Sequence, residues 1–301
     1  MMSTDHLIYL DGKFVPAREA KVSVFDHGLL YGDGVFEGIR AYDGVVFQLD
    51  AHIDRLYRSA KFIWLNIPLT KEAMRDAVLE TLRRNKLQNA YIRLVVTRGE
   101  GDLGLDPKNC ARPTTFIITI PAQPLYGEEA KRRGLRMIVA TTRRNTTDST
   151  SHEIKSLNYL NSILAKLEAN ARGVNDAIML DSRGFLAEAS VMAVFIVKDG
   201  ELLTPPLYAS LLASITRRFV MGMAREMGVT VRETDITLFQ LRTADEVLTC
   251  GTFGEINPVV EIDGQPVGDG KPGPITQRLI EGFIKRRSDP RYGTPIQAAR
   301  K

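Results

Sequence analysis

Two short apolar runs open the chain on either side of Asp11-Gly12, in LIYLDGKFV over residues 7–15. An Asp-Gly pair tolerates positive φ at both central turn positions, so this stretch predicts a β-hairpin. Asp43-Gly44 and Asp199-Gly200 repeat the signal further on. Asp50 is placed to cap a helix running through His52, Arg55, Leu56 and Ala60, and Thr70 to cap one from Lys71 to Arg84. Tyr91–Thr97 alternates and is β-branched, which predicts a strand; a glycine-bearing turn follows at 99–104, then a strand at Thr114–Ile120. Residues 1–120 therefore read as one small α/β domain, and PAQPLYGEEA over 121–130 as a polar, Pro/Gly-bearing linker.

Residues 131–301 read as a second, larger domain. Strands are expected at 135–140, 177–181, 185–188, 194–198 and 246–250, and helices at 215–227 and 275–286. Leu157, Leu160, Leu164 and Leu167 recur at helical spacing up to Gly173, which predicts an amphipathic helix with Lys155 just ahead of it and Tyr159 one turn on. The polar tail from Ser288 is expected to fray. Hairpins are frequent and strict βαβ alternation is missing, so the fold class is α+β, or mixed α/β, in two domains.

Composition removes several functions. The chain has 301 residues, 44% hydrophobic and 25% charged, enough for two cores. Its net charge of +4 is spread out, with short clusters only at 131–133 and 285–287 and no interleaved aromatics, which disfavours nucleic acid. Four histidines and two distant cysteines form no metal-ligand spacing, so no protein-bound metal is expected. No stretch approaches the ~20 apolar residues of a membrane span. A reduced, cytoplasmic protein fits these features.

The remaining signals converge on a ligand with an aldehyde and a phosphate. Lys155 at a loop–helix junction is either a solvated charge or an amine able to form a Schiff base. Glu188, expected to end a strand, is a solvated carboxylate or the partner of a protonated ring nitrogen. Ile215-Thr216 opens a helix whose N–H groups and dipole favour an anion, although Thr216 taken alone is more often just an N-cap. Gly251-Thr252 can add a hydroxyl and further donors. Arg55 is a surface arginine or a bidentate phosphate ligand.

Eight segments resemble the class IV, fold-type IV pyridoxal-phosphate aminotransferases, and within them the branched-chain amino-acid aminotransferases. They are YGDGVFEGIRAYDG (31–44), LDAHIDRLYRSAK (49–61), YIR (91–93), KSLNYLNS (155–162), FLAEAS (185–190), SITR (214–217), GTFGEINPV (251–259) and GDGKPGPIT (268–276). They span almost the whole chain in the family's order. The resemblance implies a small N-terminal α/β domain and a larger pseudo-barrel-like domain. It also implies pyridoxal 5'-phosphate as cofactor, Lys155 as Schiff-base lysine and proton shuttle, Glu188 on the pyridine nitrogen and Tyr159 on the ring hydroxyl. Arg55, Ile215, Thr216 and Thr252 would hold the phosphate. Tyr31, Phe36, Gly38, Tyr91 and Arg93 would line the substrate pocket, with Thr252 and Phe253 receiving the α-carboxylate. The implied reaction is transamination of Leu, Ile or Val with 2-oxoglutarate by a homodimer or higher homo-oligomer; a D-amino-acid or (R)-amine aminotransferase, or an aminodeoxychorismate lyase, is the alternative within the family.

Three segments depart from the family pattern: residues 189–193, Ala213-Ser214 in place of a turn ending in Gly, and Phe253-Gly254 in place of two alanines. A glycine lost at positive φ is expected to strain the 213–214 turn, and Phe253 to reshape the pocket.

Overall fold

The computed structural model describes residues 6–122 and 125–297. The chain divides into two compact units. One holds residues 1–123, 154–158 and 286–301; the other holds 124–153 and 159–285. Against the expected 1–120 and 131–301, the last residues return to the first unit, and so does the segment carrying Lys155.

The first unit is built on an antiparallel seven-stranded sheet. In spatial order its strands are Gly293–Pro295, Val45–Phe47, Gly34–Tyr42, Ala90–Thr97, Thr114–Pro121, Leu7–Leu10 and Lys13–Pro16. Strand alternation sends Ile39, Ala41, Ile92, Leu94 and Val96 to one face, where Ile53, Leu56, Met74, Val78 and Leu82 of two helices, Leu49–Phe62 and Lys71–Arg84, close the core. Thr70 caps the second helix, accepting from the Ala73 N–H. The first is not capped by Asp50. Gln48, at φ 52, is its N-cap, and Asp50 sits in the first turn, where its charge faces the positive end of the dipole.

Residues 288–297 do not fray, and the rest of the tail lies outside the described residues. A short 3-10 turn at Pro290–Tyr292 leads into Gly293–Pro295, which pairs with Val45–Phe47, and Ile296 is buried. Ladder hydrogen bonds and one buried isoleucine hold a segment whose composition reads as solvent-exposed.

The second unit carries a nine-stranded mixed sheet, in the order Val231–Glu233, Glu201–Thr204, Ala193–Lys198, Glu246–Gly251, Glu255–Ile262, Leu135–Val139, Asp176–Leu180, Leu186–Ala189, with Gln265–Pro266 beside Glu255–Ile262. The edge strand Leu186–Ala189 passes in three residues to Ala193–Lys198, close to the opposite edge, with Ala189 N–H bonded to the Met192 carbonyl. A sheet whose distant strands are joined so tightly must curl on itself, which produces the pseudo-barrel. Part of the expected linker is instead the helix Gly127–Arg133, held by a buried ion pair of Lys131 Nζ with Glu255 Oε2 at 2.6 Å.

The Leu160–Ala171 helix packs the other way round from its leucine pattern. Ser162, Ala165 and Ala169 face inward, near Ile138, Ala177 and Met179, while Leu160, Ile163, Leu164 and Leu167 are exposed. Small residues let the helix lie close to the strands. The period shows which side chains share a stripe and is silent on which stripe the sheet takes. Tyr159 is the N-cap residue and Lys155 lies before the helix, outside any helical turn, so the two are not neighbours on one.

Glu168 ties this helix to the end of strand Leu135–Val139. Its carboxylate accepts from N–H and Oγ of both Thr141 and Thr142, at 2.6–2.9 Å. Burial acts to raise its pKa, but the four donors hold it at about 2. A carboxylate depressed in the folded state contributes stability above its unfolded value, and that contribution is lost as pH falls from about 4.5 towards 2. Thermal midpoints should decline across that window, and Glu168→Gln should lower the midpoint at neutral pH and flatten the decline.

Candidate functional site

In the first unit the residues expected to bind substrate share one sheet face. In the ladder Gly38 lies opposite Arg93 and Arg40 opposite Tyr91, and Phe36 is two residues from Gly38, so Phe36, Gly38, Tyr91 and Arg93 project to the face away from the core. Lys155 joins them through pairing. Val35 bridges Ser156, and the Phe36 N–H donates to the Lys155 carbonyl at 3.0 Å. The Lys155 N–H donates to Ser59 Oγ at 3.1 Å. Both backbone groups are thereby fixed, and Nζ stands 4.6 Å from the centroid of the Phe36 ring, with the Arg93 guanidinium 4.4 Å from the same centroid.

Gly38 is needed for its missing side chain. A Cβ there would come 2.5 Å from the Tyr91 hydroxyl. Gly38→Ala should push Tyr91 aside; if this face is the substrate face expected from the resemblance, KM should rise several-fold with the melting temperature near wild type, which steady-state kinetics and a thermal melt will check.

Tyr31 stands elsewhere in the unit, on the short helix His27–Tyr31. Its hydroxyl donates to the Leu103 carbonyl at 2.6 Å and its ring meets His27 edge-on. Arg55 points to the opposite side of the sheet and is buried, not a surface arginine. Its Nε and Nη2 donate to the two oxygens of Glu37, at 2.7 and 2.8 Å, and His52 Nδ1 lies 2.7 Å from Glu37 Oε2. Glu37 and His52 were not among the residues singled out from the sequence. The available signal was a glutamate at a core-facing parity of the strand, with a histidine and an arginine three apart on one helix face.

In the second unit Glu188 lies within strand Leu186–Ala189, buried, and not at its end. Arg144 Nη2 is 3.0 Å and His152 Nε2 3.2 Å from its Oε1. Arg144 is itself buried and also bonds Ser162 Oγ and the Ala189 carbonyl. The His152 ring lies 5.7 Å from that of Tyr159. Arg144 and His152 come from the polar stretch 143–152, where nothing in the spacing distinguishes them.

Ile215 and Thr216 open the Ile215–Glu226 helix and are buried. The N-cap is Ser214, whose Oγ accepts from the Arg217 N–H, so Thr216 is not spent on capping. Ser214 has φ −66, and no strain arises from the missing glycine. Thr252 and Phe253 are half-buried in the turn after Glu246–Gly251, with the Phe253 carbonyl accepting from the Leu125 N–H. Two departures meet here: a Cβ on residue 254 would come 2.7 Å from Met192 Sδ, so Gly254 leaves room for the Met192 side chain as it lies.

Each unit by itself carries groups whose chemistry suits pyridoxal phosphate. The first has an amine held against an aromatic ring and a buried guanidinium. The second has a buried carboxylate, a helix N-terminus with a non-capping threonine and a further threonine. Among the described residues no His, Cys, Asp and Glu group could hold a metal ion.

Comparison with known proteins agrees. The model of the family described as amino-transferase class IV matches residues 34–262, and the chain belongs to this family. A Methanocaldococcus jannaschii protein provisionally named a branched-chain-amino-acid aminotransferase is 58% identical over 92% of this chain and 94% of its own. The branched-chain-amino-acid aminotransferase of Escherichia coli K12 is 36% identical over 92% and 91%. The branched-chain amino acid aminotransferase of Thermobaculum terrenum, solved in its PLP-bound holo form, superposes with a TM-score of 0.90 at 29% identity, covering 99% of this chain and 100% of that one.

Proposed function

We propose that this class IV aminotransferase moves amino groups between branched-chain L-amino acids and 2-oxoglutarate, with pyridoxal 5'-phosphate as cofactor. The observation that carries this reading is the sheet face on which the Phe36 ring lies against both the Lys155 amine and the Arg93 guanidinium. The ring suits a branched aliphatic side chain, and the guanidinium suits the distal carboxylate of glutamate or 2-oxoglutarate. One face serves both substrates in turn, so ping-pong kinetics are expected. The relatives named above support branched-chain amino acids as substrates.

When bound, the cofactor supplies an aldehyde that takes up the amino group and a ring that withdraws electrons from the substrate α-carbon. Lys155 moves the α-carbon proton, and the Ser59 and Phe36 backbone contacts keep its stem in place. Glu188 keeps a proton on the ring nitrogen, with Arg144 and His152 compensating its buried charge. Arg55, the Ile215 N–H, Thr216 and Thr252 hold the phosphate, Tyr159 bonds the ring hydroxyl, and Tyr31, Gly38, Tyr91 and Phe253 shape the substrate space.

Keto-acid formation from L-Leu, L-Ile and L-Val, compared with D-Ala and an (R)-arylamine, tests the assignment; turnover of the D-amino acid or amine alone would overturn it. The protein works as a homodimer or higher homo-oligomer, a reading supported by the exposed row Leu160, Ile163, Leu164 and Leu167. We place it in the cytoplasm, on the support of its free cysteines Cys110 and Cys250; no described helix is long and apolar enough to cross a membrane.

A further inference from the structure

We infer that Glu37, oriented by His52, is a positioning residue that fixes the guanidinium of Arg55 for the cofactor's phosphate. The inference rests on the reading of Arg55 as a phosphate ligand. An ionised carboxylate only accepts hydrogen bonds, so all three short contacts to Glu37 are donated to it: from Arg55 Nε, from Arg55 Nη2 and from His52 Nδ1. The Nε–Nη2 edge of the guanidinium is thereby taken up by Glu37. The sequence alone suggested a bidentate arginine without saying which edge it would use.

The three side chains are buried, Glu37 and His52 completely. Burial would raise the Glu37 pKa, but the Arg55 charge and the hydrogen bonds from Arg55 and His52 hold it at about 2. Burial pushes His52 below its ordinary value, so the ring is neutral and Arg55 alone matches the Glu37 charge.

His52 Nε2 is buried with no hydrogen-bond partner among the described residues. A core that needed only bulk at this position would do better with an apolar side chain, because an unsatisfied buried ring nitrogen is costly. What the histidine does provide is the Nδ1–H that orients Glu37. A free arginine loses much rotamer freedom when it binds an anion. One already clamped on its Nε–Nη2 edge loses less, and binding is correspondingly tighter.

The test compares pyridoxal 5'-phosphate with pyridoxal, which lacks the phosphate, by titrating apoprotein and following the visible absorbance. Glu37→Gln should weaken the phosphorylated ligand by roughly 10–100-fold, the range seen when a group supporting a direct ligand is removed. Pyridoxal affinity should stay at wild type. Arg55→Lys should do the same, and the double variant should be no weaker than Arg55→Lys alone, because Glu37 acts through Arg55.

If Glu37→Gln leaves the phosphorylated ligand unaffected while Arg55→Lys weakens it, the inference fails and the reading of Arg55 stands. If Arg55→Lys is also without effect, that reading fails. Equal weakening of both ligands by Glu37→Gln would mark a packing role and overturn the inference. Should Glu37→Gln not fold, His52→Asn decides: a several-fold loss confined to the phosphorylated ligand supports the proposal, and a loss common to both ligands, or none, overturns it.

Discussion

Lys155→Ala is expected to abolish transamination without unfolding the protein. Proton transfer by a positioned side chain is worth about 10²–10⁴-fold, and on the proposed reading the lysine is also the amine that bonds the cofactor's aldehyde, so the total loss should exceed that range. The fold should survive because what fixes this segment is backbone. The Lys155 N–H goes to Ser59 Oγ, its carbonyl accepts from Phe36, and the Leu157 N–H donates to the Gly34 carbonyl. None of these contacts uses the side chain that is removed. Leucine-dependent turnover, the visible absorbance of the bound cofactor and a thermal melt should be measured on one preparation. Wild-type turnover in the variant would refute the assignment of Lys155.

Glu188→Ala should lose both activity and stability, and the two losses can be separated. The carboxylate is buried beside Arg144, which is 1% exposed. Removing one partner of a buried ion pair leaves the other charge uncompensated, which costs about 3–5 kcal/mol. The cost here should fall near the lower end, since Arg144 keeps its bonds to Ser162 Oγ and to the Ala189 carbonyl. Replacing both groups, as in Glu188→Ala with Arg144→Met, removes the stranded charge and should recover much of the stability. It should not recover activity, because on the proposed reading no carboxylate then stabilises a protonated ring nitrogen. A denaturant titration reads the first effect and kcat the second. Recovery of kcat in the double variant would show that Glu188 serves structure alone.

Much of the local structure was legible because it depends on near neighbours. The Asp11-Gly12 and Asp43-Gly44 hairpins, the Thr70 cap and the strand around Tyr91–Thr97 all formed as the pattern predicts. Elements set by distant contacts were read less well. Residues 293–295 pair with a strand almost 250 residues earlier in the chain, and the leucine stripe of the Leu160–Ala171 helix points outward because small residues take the inner side. The suspected strain at Ala213-Ser214 vanished because Ser214 adopts an extended N-cap conformation that any residue can take.

The sequence by itself determined which chemical groups are present: an amine, a guanidinium, a carboxylate, hydroxyls and a helix N-terminus in the order of one enzyme family. It also determined that Tyr91–Thr97 would alternate as a strand, whereas the register that brings Phe36 and Gly38 to the face of Tyr91 and Arg93 is tertiary. Only the tertiary structure decided what each group leans on: Glu37 and His52 against Arg55, Arg144 and His152 against Glu188, and Met192 in the space left by Gly254. The physical reason is range. Turn chemistry and periodicity act over a few residues, whereas the partner of a buried charge is chosen by packing between segments that the chain's local pattern does not couple.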